Sequence, residues 1–99
     1  MSYARIVIVS AQAGKIDEIL EIYRNSVIPA ARQQKGFLGS RMFVDRANNK
    51  GISVTRWASK ADLEAGEANG YFQEQIAKFG PLFASAPVRE VYEIAAEEN

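Results

Sequence analysis

Residues Ala4 to Ala11 read ARIVIVSA, with Ile6 and Ile8 on one side of an extended chain and Val7 and Val9 on the other. A β-branched run bounded by polar residues and Gly14 predicts a strand, and apolar side chains on both of its faces predict cover on both sides. The period then changes. Ile16, Ile19, Leu20, Tyr23, Val27 and Ala30–Ala31 recur at the three- and four-residue spacing of one helix stripe, with Glu18, Glu21, Arg24, Asn25 and Arg32 elsewhere around it. Asp17 and Glu18 near the start, and Arg32 and Lys35 near the end, complement the helix dipole. In a continuous α-helix the Pro29 ring clashes with the carbonyl of Asn25. A kink is therefore expected at Pro29, with helix resuming through Gln33 and stopping at Gly36.

Phe37–Asp45 and Gly51–Trp57 predict two strands joined by the Asn-rich segment Arg46–Lys50, which tolerates left-handed backbone and reads as a hairpin connection. Ser59 is placed to cap a helix, with Asp62 three residues on. Gly66 and Gly70 weaken the helical pattern that follows, and Tyr71, Phe72, Gln75, Ile76 and Phe79 suggest a second segment. Gly80-Pro81 ends that segment or begins a further turn through Leu82–Ala84. Val88–Ile94 predicts a last strand, and residues 95–99 a frayed acidic tail. The order is β-α-β-β-α-β, the α+β ferredoxin-like arrangement of a four-stranded antiparallel sheet with helices on one face. Helices cover only one face of such a sheet, yet both faces of its strands are apolar. The simplest cover for the second face is another copy of the chain, so a homodimer is expected.

Composition narrows the chemistry. The chain has 99 residues, twelve Lys plus Arg, twelve Asp plus Glu, and neither His nor Cys. This length predicts one domain over residues 1–99. Without Cys there is no disulfide framework, thiolate nucleophile or structural zinc site, and without His there is no imidazole base or His-ligated haem. The three Asp do not fall in a calcium-loop spacing, so no metal is expected. A net charge of zero gives no long-range attraction for nucleic acid or anionic lipid. No apolar run approaches a membrane span, and the segment Met1–Arg5 has no signal-peptide character, so a cytoplasmic protein is expected.

Three stretches resemble a known family. They are Lys35–Ser40 after the first helix, the strand end and capped helix Thr55–Leu63 (TRWASKADL), and the last strand Pro87–Tyr92 (PVREVY). In these the chain is similar, over nearly its whole length, to the antibiotic biosynthesis monooxygenase-like family of dimeric α+β barrels. The resemblance implies an α+β barrel homodimer. Members of the family include haem degraders, cofactor-free oxygenases of quinols and anthrone-like polyphenols, and many proteins without known activity, so the resemblance implies one of these three. The haem degraders use a His on iron with an Asn and a second Trp nearby. Here Trp57 is the only Trp, the Asn position falls near Val7 and the His position near Ile76, which argues against that branch. The cofactor-free branch requires neither metal nor thiol. It favours the deprotonated form of an acidic phenol or quinol, whose carbanion meets oxygen. That branch has an Asn on the strand leading to the Trp, where this sequence has Ser53 and Thr55.

Each candidate residue carries two readings. Trp57 either walls a pocket for a planar ligand, donating its indole N–H, or packs in the core or an interface. Arg41 and Arg56 lie in middle strands, where an inward Arg stabilises a phenolate oxygen and a paired one meets Asp45, Glu90 or Glu93. Arg56 and Trp57, being adjacent, point to opposite faces. Tyr23 and Tyr71 either place a hydroxyl over a pocket or edge the core, and Tyr92 reads as packing. Phe72, Phe79 and Phe83 form an apolar face or line a cavity, and Leu82 and Phe83 with Gly80-Pro81 are placed to form a lid. The expected substrate-binding set is Trp57, Tyr23, Tyr71, Arg56 and Phe83, with no cofactor. The functional expectation is a cofactor-independent monooxygenase-like protein acting on a small aromatic or quinol-type molecule. The alternative is a non-catalytic dimeric module of the same fold that binds a small apolar ligand or serves a structural role.

Overall fold

The computed structural model describes residues 1–98. Strands β1 (Tyr3–Ser10), β2 (Phe37–Asp45), β3 (Lys50–Trp57) and β4 (Val88–Glu93) pair antiparallel in the order β2-β3-β1-β4. Helices α1 (Ile16–Ile22) and α2 (Ile28–Arg32) lie in the first crossover, and α3 (Lys60–Ala68) and α4 (Tyr71–Ala77) in the second. This is the ferredoxin-like α+β arrangement that the residue pattern predicts, with strand ends within one residue of the expected ones. Ala11 falls just outside β1 and instead bridges Phe83, tying the loop before β4 to the end of the central strand.

The first crossover differs from a helix kinked at Pro29. A π-helical segment, Tyr23–Val27, separates α1 from α2, and the Ile28 N–H bonds to the Tyr23 carbonyl five residues back. The wider turn shifts the register so that Pro29 falls in the opening turn of α2, where its missing N–H breaks no helical bond. The chain then stops at Gly36, whose φ of +83° is in the left-handed region. In the second crossover Ser59 accepts a hydrogen bond from the Asp62 N–H at 3.1 Å and caps α3. Gly66 does not interrupt α3. A Cβ there would stand 3.1 Å from the Tyr71 ring, so the glycine lets α4 begin close against α3. The C-terminal stretch is not simply frayed, since the Ile94 N–H donates to the Ser2 carbonyl and Glu97 pairs with Arg56. Asn99 lies outside the described residues.

The sheet has two unlike faces. Arg5, Val7 and Val9 of β1 point toward the helices and are buried. Two clusters fill that side: Ile16, Ile19, Tyr23 and Phe79 at one end, and Ala31, Trp57, Leu63 and Tyr71 at the other. The opposite face carries Ile6, Ile8, Ile52 and Val54, which are half-buried, together with Phe43, Val88 and Tyr92, each more than half exposed. No helix among the described residues covers it.

Candidate functional site

Between the two core clusters the helices stand off the sheet and leave an internal cavity of about 50 Å³. Its walls are mostly apolar, from Val7 and Val9 of β1, Ile19 of α1, and Phe72 and Ile76 of α4, with Phe79 and Phe83 beyond. Six polar side chains reach it from four elements: Arg5, Tyr23, Ser53, Thr55, Tyr71 and Gln75. Few convergent polar groups in an apolar enclosure are the usual composition of a small-molecule site. A benzene-sized ligand occupies an apolar cavity of roughly 150 Å³, so a ring entering here must push the walls apart.

Arg5 is the most unusual of the six, because its side chain is 3% exposed on a strand face that is otherwise apolar. Its Nη1 donates to Glu67 Oε2 of α3 at 3.1 Å. Its guanidinium carbon lies 4.1 Å from the Phe72 ring centroid and 5.4 Å from that of Trp57. Glu67 also accepts from Arg89 of β4 through two bonds of 2.7 Å. One carboxylate thus serves two guanidiniums, and α3 is fastened to β1 and β4 at once. Burial lowers the pKa of Arg5 from its ordinary value, against the opposing pull of Glu67. The group remains a cation at neutral pH, because guanidinium titrates so far above it. Among the described residues every fully buried side-chain nitrogen and oxygen has a partner. Arg5 is bonded to Glu67 through Nη1 and is itself one of the residues lining the cavity.

Gln75, on α4, is 6% exposed. Its amide oxygen accepts from Ser26 at 3.4 Å, and its amide nitrogen has no protein partner among the described residues. At the other end of the cavity the Tyr23 hydroxyl hydrogen-bonds both Ser40 of β2 and, at 3.0 Å, Ser53 of β3. The π-helical segment thus begins at a residue anchored to two strands. Tyr71 lines the opposite wall, and burial raises its pKa, partly offset by Arg5. It is therefore a neutral hydroxyl at physiological pH.

The structure brings together Tyr23, Tyr71 and Phe83 of the expected set and leaves out two. Trp57 is fully buried, packs edge-on against Phe37 at 5.5 Å, and is not part of the cavity wall. Its indole N–H is taken by Thr55 Oγ1 at 2.9 Å, which orients a hydroxyl that does line the cavity. Arg56 points to the opposite sheet face and pairs with Glu97 rather than Asp45, Glu90 or Glu93. Adjacent strand residues cannot share a face, so Arg56 is turned away from a ligand held beside Arg5, whereas Trp57 shares the Arg5 face and stands behind the cavity lining, its ring 5.4 Å from the guanidinium. Arg41 makes no ion pair among the described residues and is exposed. Phe83, expected in a lid, stacks on Phe79 with ring centroids 5.2 Å apart. Phe72 and Phe79 also line the cavity. Sequence reasoning missed Arg5 and Gln75. Both carried a signal: Arg5 shares its strand face with Val7 and Val9, and Gln75 stands between Tyr71 and Phe79 on one helix stripe.

Among the described residues no group of three or more His, Cys, Asp or Glu is arranged to hold a metal ion, and no helix is long and apolar enough to cross a membrane. Comparison with known proteins gives the family. The sequence profile of the antibiotic biosynthesis monooxygenases matches residues 2–78, and the chain belongs to that family. No curated protein sequence matches it. Solved structures share the fold at low identity. Rv0793 from Mycobacterium tuberculosis superposes with a TM-score of 0.78 at 13% identity, over 100% of both chains. SnoaB, a cofactor-independent oxygenase from Streptomyces nogalater, gives 0.78 at 11% identity, covering 99% of this chain and 95% of its own. A Caulobacter crescentus protein described as an antibiotic biosynthesis monooxygenase gives 0.78 at 21%, covering 97% and 91%.

Proposed function

We propose that this member of the antibiotic biosynthesis monooxygenase family binds a small aromatic or quinol-type molecule in the Arg5–Tyr71–Gln75 cavity and lets it react with dioxygen without a bound cofactor. The observation that carries this reading is the buried Arg5 guanidinium in the wall of a mostly apolar cavity. A desolvated cation beside a phenol or enol favours its ionised form, and the electron-rich carbon of that anion reduces oxygen. For a ring methylene the reaction balances as CH₂ plus O₂ giving C=O plus H₂O. Two C–H bonds break, one oxygen atom enters the product, and the substrate supplies all four electrons. Arg5 holds the oxyanion, Tyr71 and Gln75 donate to ring oxygens, and the apolar walls exclude water.

A homodimer belongs to the same reading. The open sheet face is apolar at its centre and includes three exposed large side chains, Phe43, Val88 and Tyr92. A second copy of the chain laid against it buries them, which supports the barrel assembly expected from the sequence. The fold of SnoaB, a cofactor-independent oxygenase, supports the chemistry as analogy alone.

Oxygen consumption on a panel of hydroquinones and anthrones tests the activity, with wild type beside Arg5→Met and Tyr71→Phe. Turnover that falls at least tenfold in Arg5→Met is the expected result. No turnover above background on any member of the panel overturns the enzymatic reading and leaves a non-catalytic binding module.

A further inference from the structure

We infer that the cavity is selective for an aromatic ring already carrying an ionised oxygen, a carboxylate or phenolate, and that the Glu67–Arg89 pair sets how strongly Arg5 attracts it. This rests on the reading of the cavity as the ligand site and names the charge of what it takes. The charge count carries the inference. Arg5 and Arg89 share the single carboxylate of Glu67, at 3.1 Å and 2.7 Å, so the cluster keeps one formal positive charge. Arg89 is 43% exposed, so solvent hydrates and screens its charge, whereas the charge of Arg5, 3% exposed, is screened little. The bidentate bonds of Arg89 also draw Glu67 toward β4, so Arg5 holds it through one nitrogen only. The rest of the guanidinium has no carboxylate partner among the described residues, and Arg5 lines the cavity.

The rest of the wall fits such a ligand. The Phe72 ring lies 4.1 Å from the guanidinium carbon, and a ring stacked on a guanidinium face does not compete for its in-plane donors. The Gln75 amide nitrogen, without a protein partner among the described residues, is a second donor to the same cavity. No carboxylate lines the cavity to repel an anion. A neutral ring gains the apolar walls but leaves the desolvated Arg5 charge matched only by a carboxylate it shares with Arg89. Glu67 and Arg89 touch no ligand in this scheme. They are positioning residues.

The test is binding of benzoate, 4-nitrophenolate and neutral benzamide to the full chain, followed by calorimetry and by the fluorescence of Trp57, the only tryptophan. At least one of the two anions is expected to bind tenfold or more tighter than benzamide, and the tighter one identifies the acidic group as carboxylate or phenolate. Arg5→Met should erase that preference. Arg89→Met, which leaves Arg5 and Glu67 as a neutral pair, should weaken anion binding severalfold and leave benzamide unchanged. Glu67→Gln should tighten it. A purely structural cluster predicts weaker binding in both, so opposite signs decide the matter. Where Glu67→Gln fails to fold, Arg89→Met and Arg5→Met decide it. Anion binding no tighter than benzamide, or a preference that survives Arg5→Met, overturns the inference. Turnover of quinols without anion preference refutes this inference alone, and anion preference without turnover refutes the oxygenase reading alone.

Discussion

The Arg5 guanidinium lies over the face of the Phe72 ring, 4.1 Å from its centroid, on a strand face where its neighbours Val7 and Val9 are buried. A cation so placed is held by three things: the ring quadrupole, one hydrogen bond to Glu67, and the second guanidinium that keeps Glu67 in place. Burying a charge for stability alone is unrewarding, since well-packed apolar residues do as well or better. The two partners of the pair should therefore respond differently to removal.

Arg5→Met is expected to leave stability within about 1 kcal/mol of wild type, because the methionine fills the same apolar channel and Glu67 keeps Arg89. Glu67→Ala should cost roughly 3 kcal/mol, because it leaves Arg5 buried without a counter-charge. Urea denaturation of both variants measures the contrast. Equal losses would mean that the pair is an ordinary structural bridge.

Tyr23→Phe removes the hydroxyl that joins the π-helical segment to Ser40 and Ser53. Leaving those two serines without that partner should cost roughly 1–3 kcal/mol. Amide exchange should quicken first over residues 23–28, where the helix changes register. Unchanged exchange there would show that packing alone holds the π turn.

Trp57→Phe is expected to lower stability by about 2 kcal/mol through lost core volume and the lost bond to Thr55. Its effect on turnover should stay within about threefold when measured on folded protein, because the indole is not part of the cavity wall. A loss of kcat beyond a hundredfold at unchanged fold would return Trp57 to the site.

Stability should be flat from about pH 5 to about pH 9, since the chain has no histidine or cysteine to titrate there. On the acid side, the Asn48 hydrogen bond lowers the pKa of Asp45. That contribution is present above the unfolded value and is lost as pH falls through the lower folded one. On the alkaline side, burial raises the pKa of Tyr71, and Glu90 raises that of Tyr92. The stability tied to these tyrosines is intact below the unfolded value, near 10, and is lost as pH climbs through the higher folded values. Chemical denaturation across the range, with Tyr71→Phe showing a shallower alkaline limb, checks the assignment.

Phe43→Asp should convert a dimer to a monomer, because Phe43 is 53% exposed on the open sheet face and does not line the cavity. Sedimentation of wild type and variant at micromolar concentration decides it. A wild type that sediments as a monomer refutes the assembly.

What the sequence by itself determined is the scaffold. The β-branched run ARIVIVSA, the helix stripe from Ile16, the cap at Ser59 and the turn residues between strands are local instructions. Each is read within a few residues, so the element order and the ferredoxin-like sheet followed from them. The absence of His and Cys likewise fixed which chemistries are closed to the chain. The π turn before Pro29 was beyond that reading, since the same residues satisfy either a kink or a register shift until the sheet beneath anchors Tyr23. The site itself was decided only by tertiary structure. Trp57 and Arg56 stood out by residue type, yet the pleat turned Arg56 away and core packing enclosed Trp57. Arg5 is buried as a paired cation in the wall of the candidate site because Glu67, 62 residues along the chain from it, folds back against it and Arg89 then holds that carboxylate. A polar residue on an apolar stripe, as at Arg5 and Gln75, is visible locally, but which polar groups share one desolvated space depends on contacts distant in sequence.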